Sequence, residues 1–126
     1  MLGLERIPGL RVVASPNALD AASWGEQAVV LRIAPDDAFA VGVTMIELTD
    51  AHAIVTEESG FVGAWLTRDQ LAEWVIPHIE WSLPGMRPAL AQGLIAGVPG
   101  KVWLERERAL LLCAAGYAHE LTERLR

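Results

Sequence analysis

The sequence predicts an α+β fold: a mostly antiparallel sheet with two short helices, in a single domain over residues 1–126. Three observations predict it. Short β-branched runs separated by turn residues recur through the first half. A capping signature followed by a 3.6-residue apolar stripe begins at Thr67. Three more apolar runs then lead into a closing amphipathic segment, an order that segregates strands and helices instead of alternating them as βαβ units.

Taken in order, Arg11-Val12-Val13-Ala14 reads as a short strand, and Ser15-Pro16-Asn17-Ala18 as a turn or a brief helical cap. Residues 27–34 are β-branched at their centre and stop at Pro35-Asp36-Asp37, after which Ala38 to Val43 resumes as a strand. So short a polar connection predicts a hairpin. Further strands are expected at Ile46 to Leu48, His52 to Thr56 and Phe61 to Leu66, the last two separated by the turn Glu57-Glu58-Ser59-Gly60.

Thr67-Arg68-Asp69-Gln70 fits a capping box, and Leu71, Trp74 and Val75 recur at i, i+3 and i+4, so a helix is expected from Thr67 to Ile76, stopped by Pro77. Ala89 to Ala96, Lys101 to Glu105 and Ala109 to Ala115 read as strands, with Gly97 to Gly100 and Glu105 to Arg108 as their turns. A final helix is expected from Tyr117 to Leu125, with Ala118, Leu121 and Leu125 on one face and Glu120 and Arg124 paired on the other.

Composition narrows the function classes. Ten Lys and Arg against sixteen Asp and Glu give a net charge of −6, which argues against phosphate backbones and anionic lipid surfaces, so nucleic acid and membrane are not expected partners. With 126 residues, 52% hydrophobic and 21% charged, the chain should fill a core and still leave apolar surface outside. A partner is therefore expected, either a second copy or a larger protein subunit. The longest uncharged stretch, Pro88 to Gly100, falls short of the roughly 18 apolar residues of a membrane span. Glu5, Arg6 and Pro8 interrupt any signal-like N-terminal run, so a cytoplasmic location is expected. The single Cys113, inside an apolar run, reads as a buried, inert thiol.

Convergent chemistry is scarce. His52, His78 and His119 have no second ligand at i+4, so no metal site is expected, and no Gly-x-Ser-x-Gly elbow or phosphate-cradling loop is present. No cofactor and no catalytic constellation are implied. His78 and Glu80 would share a face if extended, as a base with an orienting carboxylate would, and His52 with Glu57 is the other acid-base pairing to weigh. Five tryptophans (Trp24, Trp65, Trp74, Trp81 and Trp103) leave three readings open: core margin, protein interface, or a stacking site for a flat ligand. Trp81 and Trp103, with His78 and Glu80, are the candidates for such a ligand site. Val102, Trp103 and Leu104 alternate as apolar residues on both faces of one strand, which something must cover: the C-terminal helix or another chain.

Several segments resemble a known family. Leu31 to Val41, Leu48-Thr49-Asp50, the Phe61 to Leu66 strand running into Glu73-Trp74-Val75, Leu83-Pro84-Gly85-Met86-Arg87, Leu94 to Leu104, Ala109 to Leu112 and Tyr117 to Leu121 are together similar to the folate-binding aminomethyltransferase superfamily. Within it, residues 27–126 look most like the gamma subunit of heterotetrameric sarcosine oxidase. The resemblance implies a small α+β module within an amine or one-carbon metabolism complex. It departs from the catalytic members, because the strand expected to carry an acidic residue offers Val102, Trp103 and Leu104 before Glu105. It departs also from iron-sulfur assembly relatives, because Cys113 is followed by Ala-Ala-Gly-Tyr.

The expectation is therefore a non-catalytic interaction or scaffold domain. The alternatives are a pterin- or folate-like small-molecule binder with a Trp-lined pocket and, third, a small acid-base enzyme.

Overall fold

The computed structural model describes residues 2–126. The fold is α+β, with every strand pairing antiparallel in two sheets. The chain forms two compact units: Ile7–Ser59, and Gly60 to Arg126 together with the N-terminal segment through Arg6.

In the unit Ile7–Ser59, β2 (Gly9–Val13) pairs with both β4 (Asp37–Val41) and β5 (Ile54–Glu58), and β3 (Val29–Ala34) completes the order β3-β4-β2-β5. Pro35 and Asp36 alone connect β3 to β4, the hairpin expected from their polarity, with a register shift between Arg32 and Ala34. The expected brief cap is a full helical turn, α1 (Pro16–Ala21): the Ser15 hydroxyl accepts from the Ala18 amide at 3.2 Å, and Pro16 occupies a first-turn position where its missing N–H costs nothing. Leu10, Val12, Ala18, Leu19 and Ala38 make the core, with Trp24 packed at its margin. The strand expected at Ile46 to Leu48 does not form. Only Glu47 bridges, to Ser23.

In the other unit the sheet order is β1-β6-β9-β8-β7, with β1 (Glu5–Arg6), β6 (Phe61–Thr67), β7 (Ala89–Ile95), β8 (Val98–Leu104) and β9 (Arg108–Ala114). The capping box at Thr67 is complete: its hydroxyl accepts from the Gln70 amide at 3.1 Å, and the Gln70 side chain accepts from the Thr67 amide at 2.9 Å. From it α2 (Arg68–Gln70) runs on as a π-helical segment, Leu71–Val75, and a 3-10 turn, Ile76–His78. The helix therefore passes the expected stop at Pro77, because a proline is tolerated in the first turn of the tightened segment. Leu71 and Val75 are buried and Trp74 packs beside them, as their spacing predicts. After a 3-10 turn at Ala115–Tyr117, α3 (Ala118–Arg124) adds Leu121 to the same core.

The β7–β8 turn differs from the expected Gly97 to Gly100. It is the two-residue step Ala96-Gly97, with φ of 50° and 80°, and β8 begins at Val98. Positive φ at both positions is the signature of a type I′ turn, whose twist matches that of paired strands. Pro99 can lie inside β8 because pairing with β9 begins only at Lys101.

Candidate functional site

Register settles the tryptophan question. Ala91 pairs with Val102 and Gly93 with Gly100, so these four face one side of the sheet, whereas Leu90 and its partner Trp103 face the other. The Trp81 indole lies against Gly93, where an added Cβ would come within 2.7 Å of the ring. Trp81 and Trp103 are thus on opposite faces and cannot line one pocket, which corrects the expectation of a shared stacking site. His78 and Glu80 do join Trp81, with Leu94 and Gly97, around a cavity of about 290 Å³. No hydrogen bond or ion pair links His78 to Glu80 among the described residues, and none links His52 to Glu57. The His52 amide is instead engaged by Asp50 at 2.9 Å.

The interface expected on β8 also narrows. Val102 and Leu104 are fully buried within their own unit, packed in the core that contains Leu121 and Leu125. A residue without exposed surface cannot meet a partner, so only half-buried Trp103 is left of that expectation. Its indole N–H donates to Glu105 at 2.9 Å. The other Glu105 oxygen accepts from Arg108 at 2.8 Å, and the Arg108 guanidinium stacks 3.7 Å over Trp65. Burial pushes the Glu105 carboxyl up, but the bonds from Arg108 and Trp103 outweigh it and hold it below the usual carboxylate range. Cys113 is buried, and burial raises its thiol above the ordinary value, which disfavours the reactive thiolate. Among the described residues no three His, Cys, Asp or Glu side chains converge as a metal site would need, and no helix is long and apolar enough to cross a membrane.

The strand edges are more informative. A free edge presents unpaired backbone donors and acceptors, and folds normally blunt it. In the five-stranded sheet, β1 has only two residues, both charged. β7 is covered at its C-terminal end: the Trp81 indole donates to the Leu94 carbonyl at 2.9 Å, and just beyond the strand the Ala96 amide donates to the His78 carbonyl at 2.8 Å. In the four-stranded sheet, β3 is kinked by its register shift.

β5 is longer than β1, is not bulged like β3, and is charged only at Glu57 and Glu58. It pairs with β2 over five consecutive residues without a bulge, carries neither proline nor lysine, and lies at the end of the strand order. Ile54 is 60% exposed and Val55 43%, and Thr56 and Glu57 are exposed as well. Beyond the ladder to β2, the backbone of Ile54 to Glu57 meets no partner among the described residues.

The edge is also held in place. Arg11, opposite Thr56, donates to both Asp37 oxygens on β4, at 2.5 and 2.7 Å, and to Glu58 on β5 at 3.0 Å. These bonds, that to Asp37 foremost, raise the Arg11 pKa further above its already high value. One guanidinium thereby ties three strands and offsets the charge at the end of β5. Ahead of β5, the Asp50 carboxylate accepts the Ser15 amide at 2.8 Å as well as that of His52, which lowers its pKa and anchors the loop delivering the strand.

Comparison with known families finds no family model that matches the chain, and comparison with curated proteins finds no match.

Proposed function

We propose that the chain is a non-catalytic interaction module that self-associates by pairing β5 with β5 of a second copy. The observation that carries this reading is the exposed, unbulged edge at Ile54 to Glu57. Edge-to-edge strand addition supplies affinity through main-chain hydrogen bonds from alternate residues, whatever their side chains, and needs no deep pocket.

The strand's own sequence favours an antiparallel arrangement. Pairing about a two-fold axis at Thr56 sets Thr56 against Thr56 of the partner subunit, and Val55 and Ile54 against the partner's Glu57 and the partner's Glu58. Thr–Thr cross-strand pairs are favourable, and this register keeps the acids away from each other, whereas an in-register parallel pairing would set Glu beside Glu. Ile54 gains cover from the added strand. Five residues make a small contact, so a weak, concentration-dependent dimer is expected. The resemblance of residues 27–126 to the sarcosine oxidase gamma subunit makes a strand from a larger subunit the alternative partner for the same edge.

Amide hydrogen exchange tests the reading. Protection of the β5 amides should rise with protein concentration while that of β8 amides stays constant. Exchange at β5 that is independent of concentration would overturn self-association through this edge.

A further inference from the structure

A second feature is independent of the β5 edge and lies in the unit ending at Arg126. Four of the chain's ten cationic side chains, Arg68, Arg87, Arg106 and Arg108, line one cleft of about 480 Å³. They face only two carboxylates there, Glu105 and Glu107. A local excess of positive charge on a chain of net charge −6 is an unfavourable concentration of like charge unless something compensates it.

The four arginines divide into two kinds. Arg108 is fixed by Glu105 at 2.8 Å and by its stack over Trp65, and Arg87 donates through Nη1 to the Pro84 and Met86 carbonyls. These two are oriented before any ligand arrives, which lowers the ordering cost of binding. Arg68 and Arg106 have no ion pair or side-chain hydrogen bond among the described residues, and Glu107 pairs with neither. The half-exposed Ile76 adds an apolar wall to the same cleft.

We propose that this cleft binds a small organic dianion, a phosphate monoester or a dicarboxylate, whose charged end is held by Arg68 and Arg106 and whose apolar body rests on Ile76. The arginine fork matches both oxyanions, with two parallel N–H···O bonds to either. A lysine cluster would not select planar, paired oxygens in this way. The volume of about 480 Å³ lies within the range of small-molecule sites.

The test is a titration of the full chain followed by NMR of backbone amides and arginine Nε–H groups. Phenyl phosphate and phthalate serve as the two dianion probes, with inorganic phosphate for comparison. Saturable shifts at Arg68, Arg87 and Glu105 to Arg108 are expected with at least one aromatic dianion. They should weaken roughly tenfold or more in the double variant Arg68→Gln/Arg106→Gln. Both arginines lack structural partners, so the variant should keep the wild-type spectrum elsewhere, and Arg124→Gln should bind as the wild type does. The relative affinity of the two aromatic probes separates ester from dicarboxylate. Absence of saturation up to about 10 mM with both probes, or equal binding by the double variant, would overturn the site. Inorganic phosphate binding as tightly as phenyl phosphate would overturn the role given to the apolar wall.

Discussion

Ile54 on the end strand β5 stands directly opposite Val13 on the adjacent inner strand β2, and both apolar side chains are exposed. Cross-strand apolar pairs stabilise sheets when they are shielded from water. Here Ile54 sits on an unpaired backbone edge, so pairing the edge and covering Ile54 are one event. That coupling distinguishes β5 from the other three edges, each of which is short, covered at one end or kinked.

The Arg11 clamp should hold β5 in register. Arg11→Met keeps most of the aliphatic length and removes the bonds to Asp37 and Glu58, leaving two partly buried carboxylates close together. Hydrogen bonds to charged groups contribute about 1.5–3 kcal/mol, less where water screens them, so a net loss of roughly 1–3 kcal/mol is expected. Urea denaturation measures it. A change below about 0.5 kcal/mol, the range of ordinary surface substitutions, would contradict the clamp.

Gly93→Ala should open the covered end of the β7 edge. The new methyl would come within 2.7 Å of the Trp81 ring, displacing the indole that donates to the Leu94 carbonyl. A cost of about 1–3 kcal/mol is expected from overpacking, together with red-shifted tryptophan emission and faster exchange in β7. An unchanged emission spectrum would show that Trp81 does not cover this strand end.

Ala96→Asn should be stabilising. Ala96 occupies the first turn position at φ 50°, where asparagine is favoured and alanine is strained. A gain of about 0.5–1 kcal/mol in chemical denaturation is expected. A loss would mean that the partly buried methyl matters more than the backbone.

Acid should weaken the loop before β5. The Asp50 carboxyl is held below its ordinary value by the Ser15 amide first and the His52 amide second, so its stabilisation is present above the unfolded carboxylate pKa of about 3.9 and is lost as pH falls through the lower folded value. Glu105 acts in the same direction. The melting-temperature gap between wild type and Asp50→Ala should therefore be open at pH 7 and narrow toward pH 3. A gap that stays constant or widens in acid would contradict this assignment.

Much of the fold was legible because local signals were strong. The capping box at Thr67, the Leu71, Trp74 and Val75 stripe and the hairpin at Pro35-Asp36 each depend on neighbours in sequence. The β7–β8 turn lies ahead of the Gly97–Gly100 signal because Ala96 carries no mark of positive φ, and Pro99, a turn residue by type, fits inside β8 because strand order leaves its nitrogen without need of a partner. The site was less legible for the same reason. Val102, Trp103 and Leu104 were the expected interface because they are apolar on both faces, but strand order sets Val102 and Leu104 inside their own core. Ile54-Val55-Thr56 was readable as a strand, while its place at the end of a sheet is a property of topology. The arginine cleft gathers residues up to 40 positions apart, from Arg68 to Arg108, and had no local signature.

Sedimentation equilibrium over a concentration series, with wild type and Ile54→Lys/Val55→Lys compared, bears most directly on the claim that β5 is a self-pairing edge. Wild type should move from 13.7 kDa toward twice that mass as concentration rises, while the lysine variant stays at 13.7 kDa with an unchanged circular dichroism spectrum. A wild type that remains monomeric to about 1 mM, or a lysine variant that associates equally well, would contradict it.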